Sequence, residues 1–297
     1  MIKINYYHSL IFFNFCIFLS AFEYLRSNSL LIISLLLILS IGISHGSLDH
    51  IKGRKLLKIL GFKSSAIFYI GYIIVGSITI IIWLLFPKFL LYFFLIVAAF
   101  HFGKEDSEFI NKNKNFELIY FFKGSLIIIS PLLFHKNETL SIFNSLNFDI
   151  STNILINNGI LYLFIFLSFI SNIILSLNKS FDAKSLLLMD FLSILILNYF
   201  LNPILAFTVY FCFLHSIRHS ISLIKEINTN LKKGLPIFIK KALPLTILTI
   251  FGYIFALYIL NNYNDLDDSI YKVIFIGLAS LTFPHILLEY LIEKNEQ

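Results

Sequence analysis

The stretch FCFLHSIRHS, residues Phe211–Ser220, places two histidines and an arginine at the end of a long apolar run. Apolar runs of about 20 residues recur on both sides of it, and this is the length a helix needs to cross a bilayer. The chain of 297 residues is 58% hydrophobic and only 13% charged, which is more apolar than soluble domains are. The sequence therefore predicts an integral membrane protein built from helices, with no nucleic-acid partner.

About ten membrane spans are predicted from these runs. They cover residues 8–25, 29–49, 65–86, 88–103, 116–134, 157–177, 185–201, 203–224, 242–261 and 270–292. The first span is interpreted as a retained helix rather than a signal peptide, because its cleavage signal is poor. No linker separates domains, so residues 1–297 are expected to form one transmembrane domain. The predicted fold is an all-α, polytopic helical bundle.

Basic residues are distributed unevenly between the loops. With ten spans and the N-terminus inside, the outer loops hold only Arg26, Lys88 and Lys136, with Lys272 at a span end. Cytoplasmic loops of membrane proteins carry the excess of lysine and arginine. Both termini are therefore expected on the cytoplasmic side of the cell inner membrane.

Six of the eight histidines fall in four short motifs. The motifs are HGSLDH (His45–His50), HFGKED (His101–Asp106), HSIRH (His215–His219) and FPHILLE (Phe283–Glu289). They lie on the second, fourth, eighth and tenth predicted spans, each toward the cytoplasmic end, so four helices bring imidazoles to one depth. Ionisable groups inside a membrane are costly and usually face the bundle interior, so this layer is predicted to be the functional site.

The spacing of the histidines favours a metal centre. His215 and His219 are four residues apart and share one helix face, where both can bind a single ion. Together with His45 and His101 they form the predicted metal-binding and catalytic set. Neutral nitrogen donors suit iron, copper, zinc or nickel and do not suit magnesium or calcium.

Two further histidines are reserve ligands. One is His285 of the last motif. The other is His50, which follows His45 by five residues, so a regular helix turns it about 140° away. Both histidines of HGSLDH can therefore bind one ion only if the helix breaks at Gly46.

Three of the histidines have a carboxylate four residues later in the sequence. The pairs are His45 with Asp49, His101 with Glu105, and His285 with Glu289. A carboxylate that accepts the other ring N–H of a metal-binding histidine fixes the orientation of its ring. These three carboxylates and Asp106 are expected to support the ligands or to stand in for them.

For the other ionisable groups in or near the spans, the sequence predicts structural positions rather than roles in catalysis. The side chains of Arg218 and Lys123 are expected to extend toward the inner membrane interface. His8 and His135 lie near predicted span ends and are expected to be solvated or interfacial. Asp190 either supports the metal layer or caps a packed helix.

The four motifs, in this order, resemble the Brp/Blh family of bacterial and archaeal membrane proteins, which are β-carotene 15,15′-dioxygenases associated with rhodopsin-containing microbes. The resemblance extends from about His45 to Glu289. It implies an Fe²⁺-dependent enzyme that splits the central double bond of β-carotene with O₂ into two retinals, and a microbial rhodopsin as recipient of the product. The histidines held essential in that family match His45, His101, His215 and His219.

The polyene substrate implied by this resemblance requires a long apolar tunnel within the bilayer. Aromatic residues that neighbour the histidines are candidates for its lining: Phe100, Phe102, Tyr210, Phe211, Phe213 and Phe283. Packing against lipid or within the core is an equally good interpretation of each, because the chain contains 34 phenylalanines.

Two other classes of protein remain open at this point. A membrane di-iron desaturase or hydroxylase also uses histidine boxes, but it needs more histidines than this layer holds, including adjacent pairs. A metal-ion transporter needs a polar path across the membrane, and the outer halves of these spans are almost purely apolar.

Overall fold

The computed structural model of the protein describes residues 1–22, 24–27, 30–110, 116–148 and 157–295. All regular structure in these ranges is helical, which confirms the predicted all-α class. The first half contains α1 (Ile2–Ser20), α2 (Tyr24–Ser27), α3 (Leu31–Ser40), α4 (Asp49–Ile59), α5 (Ala66–Leu85), α6 (Pro87–Glu105), α7 (Glu117–Phe134) and α8 (Lys136–Ser145). The second half contains α9 (Asn158–Ser176), α10 (Phe181–Phe200), α11 (Pro203–Val209), α12 (Ile217–Ile227), α13 (Leu231–Leu260) and α14 (Leu266–Asn295).

In the described part of the chain, a 3₁₀ segment and a π-helical segment both carry motif histidines. A 3₁₀ segment, Gly42–Leu48, joins α3 to α4. A π-helical segment, Tyr210–Ser216, joins α11 to α12. Such segments often mark functional sites in helical proteins.

The helix starts follow from local chemistry. Pro87 and Pro203 each occupy the first turn of a helix, where a missing N–H costs little. The side chains of Asn157, Ser180 and Asn230 accept backbone N–H groups at the starts of α9, α10 and α13. These caps satisfy donors that the first turn of a helix leaves without a partner.

Nine of the described helical stretches are long and apolar enough to cross a membrane, counting Pro203–Ile227 as one. A tenth follows if the bent pair Leu31–Ser44 and Gly46–Ile59, which meet at 41°, forms a single span. The prediction of about ten transmembrane helices is therefore confirmed, and the protein is a multi-pass membrane protein.

Some helices extend beyond the predicted spans, and one predicted span is interrupted. Helix α1 begins at Ile2 rather than at residue 8, and α13 begins at Leu231 rather than at residue 242. Lysine-containing turns extend these helices beyond the apolar run, because lysine is a good helix former. The predicted second span, 29–49, is not one regular helix, since α3 ends at Ser40 and the 3₁₀ segment follows.

Helices α6 and α7 approach each other through two glycines. A Cβ atom added to Gly103 would overlap the carbonyl oxygen of Tyr120, and one added to Gly124 would overlap the carbonyl oxygen of Ala99. Small residues allow membrane helices to pack at short range. This contact fixes the end of α6 that carries the motif HFGKED.

We expect Gly103→Ala to destabilise the folded protein by about 1–3 kcal/mol, which is the usual cost of overpacking a core. Thermal unfolding of the purified protein in detergent, followed by circular dichroism, measures the effect. Gly71→Ala in α5 is the matched control, because a Cβ there meets no atom within 4 Å. Equal unfolding temperatures for the two variants would contradict the proposed close contact.

Candidate metal centre

Four imidazole rings from different helical segments lie together. His101 is near the end of α6, His215 is in the π-helical segment, His219 is in α12 and His285 is in α14. The ring centroids are 5.4 Å apart for His101 and His215, 5.4 Å for His101 and His285, and 5.8 Å for His219 and His285. All four side chains are buried. We refer to these four residues as the histidine cluster.

Three members of the histidine cluster have a carboxylate against the same ring nitrogen. The Nδ1 contacts are His215 to Asp106 Oδ1 at 3.2 Å, His285 to both oxygens of Asp49 at 2.9 Å, and His219 to Glu105 Oε2. An ionised carboxylate only accepts hydrogen bonds, so each imidazole donates its Nδ1–H and, in its neutral form, carries its lone pair on Nε2. Carboxylates orient metal-binding histidines in this way.

The π-helical segment allows Tyr210 and His215 to reach one carboxylate. Hydrogen bonding from residue i to residue i+5 brings residues five apart close together, whereas an α-helix turns them onto different faces. Tyr210 donates its hydroxyl hydrogen to Asp106 Oδ2 at 2.6 Å, while His215 faces Oδ1 of the same group. Tyr210 therefore positions Asp106, which is the partner of His215.

The charge of Asp106 is stabilised by its surroundings. Burial by itself raises the pKa of this carboxyl, but the neighbouring His215 and Arg218 lower the pKa below its ordinary value. Positive groups and hydrogen-bond donors favour the ionised form of an acid. Tyr72 donates its hydroxyl hydrogen to Asp49 Oδ2 at 2.9 Å.

His101 differs from the other three members of the cluster. No described residue forms a hydrogen bond to its ring. One nitrogen of His101, one of His285 and one carboxylate oxygen of Glu289 lie within 4.8 Å of one another. The distance from His285 Nε2 to Glu289 Oε1 is 3.7 Å. Two imidazoles and a carboxylate form a donor set that transition-metal ions accept.

The two histidines of HGSLDH have different positions. The backbone of His45 belongs to the 3₁₀ segment, but its side chain lies outside the described part of the structure. His50 is half-buried, and its Nδ1 lies 2.9 Å from the carbonyl oxygen of Ser47 in the preceding turn. His50 therefore directs one ring nitrogen to its own backbone, and it borders the same cavity as His285.

Comparison with known proteins assigns the family. A sequence model described as β-carotene 15,15′-dioxygenase matches residues 36–293, a range that contains all four histidine motifs. The chain belongs to the β-carotene 15,15′-dioxygenase family. A curated relative with that name, from uncultured marine bacterium 66A03, is 26% identical over 263 residues, which cover 86% of this chain and 91% of the relative. No solved structure matches the chain.

Membership of the β-carotene 15,15′-dioxygenase family confirms the resemblance that the motifs predicted. The protein is an enzyme of the carotenoid-dioxygenase class. The desaturase and transporter alternatives are therefore set aside.

The carboxylates of this dioxygenase pair across helices rather than within them. The spacing predicted Glu105 as the partner of His101, but the structure pairs it with His219. Glu289 remains near His285 of its own helix, yet its salt bridge is to Lys52 of α4 at 3.0 Å. Spacing along one helix shows which side chains share a face, and neighbouring helices decide which partner that face meets.

Arg218 does not extend to the membrane interface as expected. Its side chain is buried and donates to both carboxylate oxygens of Asp190, at 2.7 and 3.1 Å. It also donates to Ser9 Oγ at 2.7 Å and to the carbonyl oxygen of Asp106 at 3.2 Å. Asp190 therefore holds Arg218 in place. Through these contacts Arg218 connects α1, α10 and α12 next to Asp106, the partner of His215.

The expectations for Lys123 and His135 are also wrong, and His8 is only partly covered. Lys123 is buried and borders a small cavity of about 10 Å³ together with Asp106 and Asp190. His135 is buried at the end of α7. His8 is half-buried, with Nε2 at 2.8 Å from the carbonyl oxygen of Phe213. Packing against neighbouring helices, which the sequence does not show, covers Lys123 and His135 and part of His8.

Three apolar cavities form a series beside the histidine cluster. The first, of about 250 Å³, is bordered by His285. The second, of about 80 Å³, shares Phe211, Leu278 and Thr282 with the first. The third, of about 260 Å³, shares residues of α6, α7 and α8 with the second, namely Leu95, Ile128 and Phe143.

Two of the six aromatic candidates for a tunnel lining border these cavities. Phe102 lines the second cavity, and Phe211 separates the first from the second. Both pack against His215, with ring centroids 4.8 and 5.8 Å from that imidazole. The series of cavities therefore passes directly beside the histidine cluster.

Proposed function

We propose that this protein cleaves the central 15,15′ double bond of β-carotene with O₂ and releases two molecules of all-trans-retinal. The observation that carries the proposal is the histidine cluster, whose rings are held by carboxylates beside a series of apolar cavities. The family match and the name of the curated relative support this choice of reaction.

A transition-metal ion fits the donor types of the cluster, and the ligand atoms of His101, His285 and Glu289 lie within 4.8 Å of one another. Imidazole nitrogens whose Nδ1–H groups bind carboxylates have a basic Nε2, which suits such ions. We propose Fe²⁺ as the cofactor, held by His101, His215 and His219 together with His45, and we place His285 beside them as a further donor. When bound, iron would supply the redox chemistry that activates O₂.

The chain's own residues orient the site and keep water from it. Asp49, Glu105 and Asp106 hold three imidazoles by Nδ1, so the rings do not need to reorganise when a ligand binds. The rings of Phe102 and Phe211 cover His215. Their apolar faces exclude water from this side of the cluster.

The series of cavities is proposed as the binding site of the polyene. A C40 hydrocarbon dissolves in the bilayer core, so it enters an apolar cavity without passing through water and exchanges lipid contacts for van der Waals packing against protein side chains. Lying through the first two cavities, the polyene would pass His285, a member of the cluster, and Phe211, which packs against His215. Its central double bond would then lie at the histidines.

We further propose where the enzyme works. The distribution of lysine and arginine supports insertion in the cell inner membrane with both termini and the histidine cluster on the cytoplasmic side. Both substrates, β-carotene and O₂, reach the site from the lipid bilayer. The retinal produced would pass to a microbial rhodopsin.

Expression in a bacterial host that makes β-carotene tests this function. We expect carotene to disappear and retinal to appear in cells with the wild-type chain, and His101→Ala to abolish the conversion at equal membrane level. Chromatography of both pigments gives the result. His135→Gln is the matched control, because His135 is also buried but lies outside the cluster. Unchanged carotene with well-expressed wild-type protein would contradict the proposed reaction.

A further inference from the structure

A row of carboxylates leads along α14 from the histidine cluster to the protein surface. His285, Glu289 and Glu293 are four residues apart, so they share one helix face and lie about one turn from each other. Side-chain exposure increases from 3% at His285 to 18% at Glu289 and 44% at Glu293. The row thus connects a buried imidazole to solvent through acidic groups.

The inner end of this row lies beside the imidazole of His101. His101 is more than nine-tenths buried and forms no hydrogen bond with any described residue. A nitrogen of this imidazole lies within 4.8 Å of the ligand atoms of His285 and Glu289. A buried imidazole beside a carboxylate offers donor atoms that bind transition-metal cations.

Two lysines neutralise the carboxylates of the row. Lys52 of α4 is 3.0 Å from Glu289 Oε1, and Lys104 of α6 forms a salt bridge with Glu293. The exposed fraction of the side chain is 23% for Lys52 and 25% for Lys104. The Lys104–Glu293 pair is partly exposed and therefore weak. A divalent cation would displace the ammonium group of Lys104 first and that of the more buried Lys52 after it.

Further acidic groups lie near the outer part of the row. Burial raises the pKa of Glu108 above its ordinary value, and the neighbouring carboxylates of Glu105 and Glu293 raise it further. Like charges raise the pKa of an acid in this way. The end of α6 and the end of α14 therefore bring additional carboxylates close to the row.

We propose that Glu293 and Glu289 form an uptake route by which a divalent transition-metal cation reaches His101 and His285 from the aqueous phase. The inference rests on the metal centre of the proposed function. Glu293 captures the cation at the surface, in place of its contact with Lys104. Glu289 then transfers the cation inward as its salt bridge with Lys52 opens.

The rate of metal uptake by the full-length, metal-depleted protein in detergent tests the route. Co²⁺ is the probe, because its visible absorption reports binding to nitrogen ligands, and elemental analysis gives the final content. We expect Glu293→Gln to slow uptake about tenfold, since focused charge raises association rates by about ten- to a thousandfold, and to reach the wild-type content in the end. Glu289→Gln should slow uptake at least as much.

Two further variants separate a route from a general disturbance of the helix ends. Lys104→Gln removes a competing ammonium group, so we expect faster uptake than in wild type. Glu226→Gln is the matched control, because Glu226 is exposed at the end of α12 and away from the row. We expect it to take up Co²⁺ at the wild-type rate.

The possible outcomes distinguish the route from the metal centre. Equal rates for wild type, Glu289→Gln and Glu293→Gln would overturn the route and leave the metal centre intact. Slower uptake in Lys104→Gln would also overturn the route, because loss of a competing cation cannot have that effect. A wild-type chain that binds neither Co²⁺ nor Fe²⁺ would overturn the metal centre itself.

Discussion

Arg218→Met is expected to destabilise the folded protein by about 3–5 kcal/mol, because it leaves the carboxylate of Asp190 buried without its partner. Both side chains of this pair are 3% exposed. The guanidinium also supplies hydrogen bonds to Ser9 and to the carbonyl oxygen of Asp106. Since whole domains are stable by only about 5–15 kcal/mol, we expect a large loss of folded protein from the membrane.

Thermal unfolding in detergent and yield in the membrane measure this effect. The double variant Arg218→Met/Asp190→Leu is the matched control, because it removes both charges and leaves neither buried alone. We expect it to recover most of the lost stability, as replacement of buried ion pairs by apolar residues often does. A double variant as unstable as the single one would show that charge pairing is not the cause.

Asp49→Asn is expected to weaken metal affinity by about ten- to a hundredfold, the usual effect of removing a carboxylate that supports a metal ligand. Asp49 accepts the Nδ1–H of His285 with both oxygens and the hydroxyl of Tyr72 with one of them. Asparagine keeps the size of the side chain, but it loses the negative charge and one acceptor. The ring of His285 would then be oriented less firmly and its Nε2 would be less basic.

Competition between the purified protein and a chelator of known affinity measures this change. Asp267→Asn is the matched control, because Asp267 is an exposed carboxylate on the same helix, α14, at the opposite end from His285. It should bind metal as tightly as wild type. If Asp49→Asn also matched wild type, then the hydrogen bond to His285 would have no influence on a metal.

Much of the site was predictable because membrane spans limit where ionisable groups can be. The motif histidines stand out against apolar runs, and span direction places them at one depth. The structure brings His101, His215, His219 and His285 together accordingly. His285 was predicted only as a reserve ligand, and the structure places it within this group beside the other three.

The partners of these histidines could not be predicted, for a physical reason. A sequence shows which residues share a helix face, but the rotation of each helix about its axis depends on packing against its neighbours. Glu105 therefore meets His219 rather than His101. The close approach at Gly103 is one of the contacts that set this rotation for α6.

The buried ion pair and the π-helical segment were missed for different reasons. Arg218 near a span end is compatible with both an interfacial and a buried position, and only the presence of Asp190 and Ser9 on neighbouring helices decides between them. The π-helical segment has no composition of its own. Its hydrogen bonding shifts Tyr210 onto the same side as His215, a relation that α-helical spacing excludes.

The most direct test of the metal centre is iron analysis of the purified wild-type protein combined with X-ray absorption at the iron edge. We predict about one iron per chain, surrounded by imidazole nitrogens, and loss of that signal in His101→Ala. Protein that cleaves β-carotene while holding no iron, or iron that remains with the same absorption spectrum in His101→Ala, would contradict an iron site at the histidine cluster.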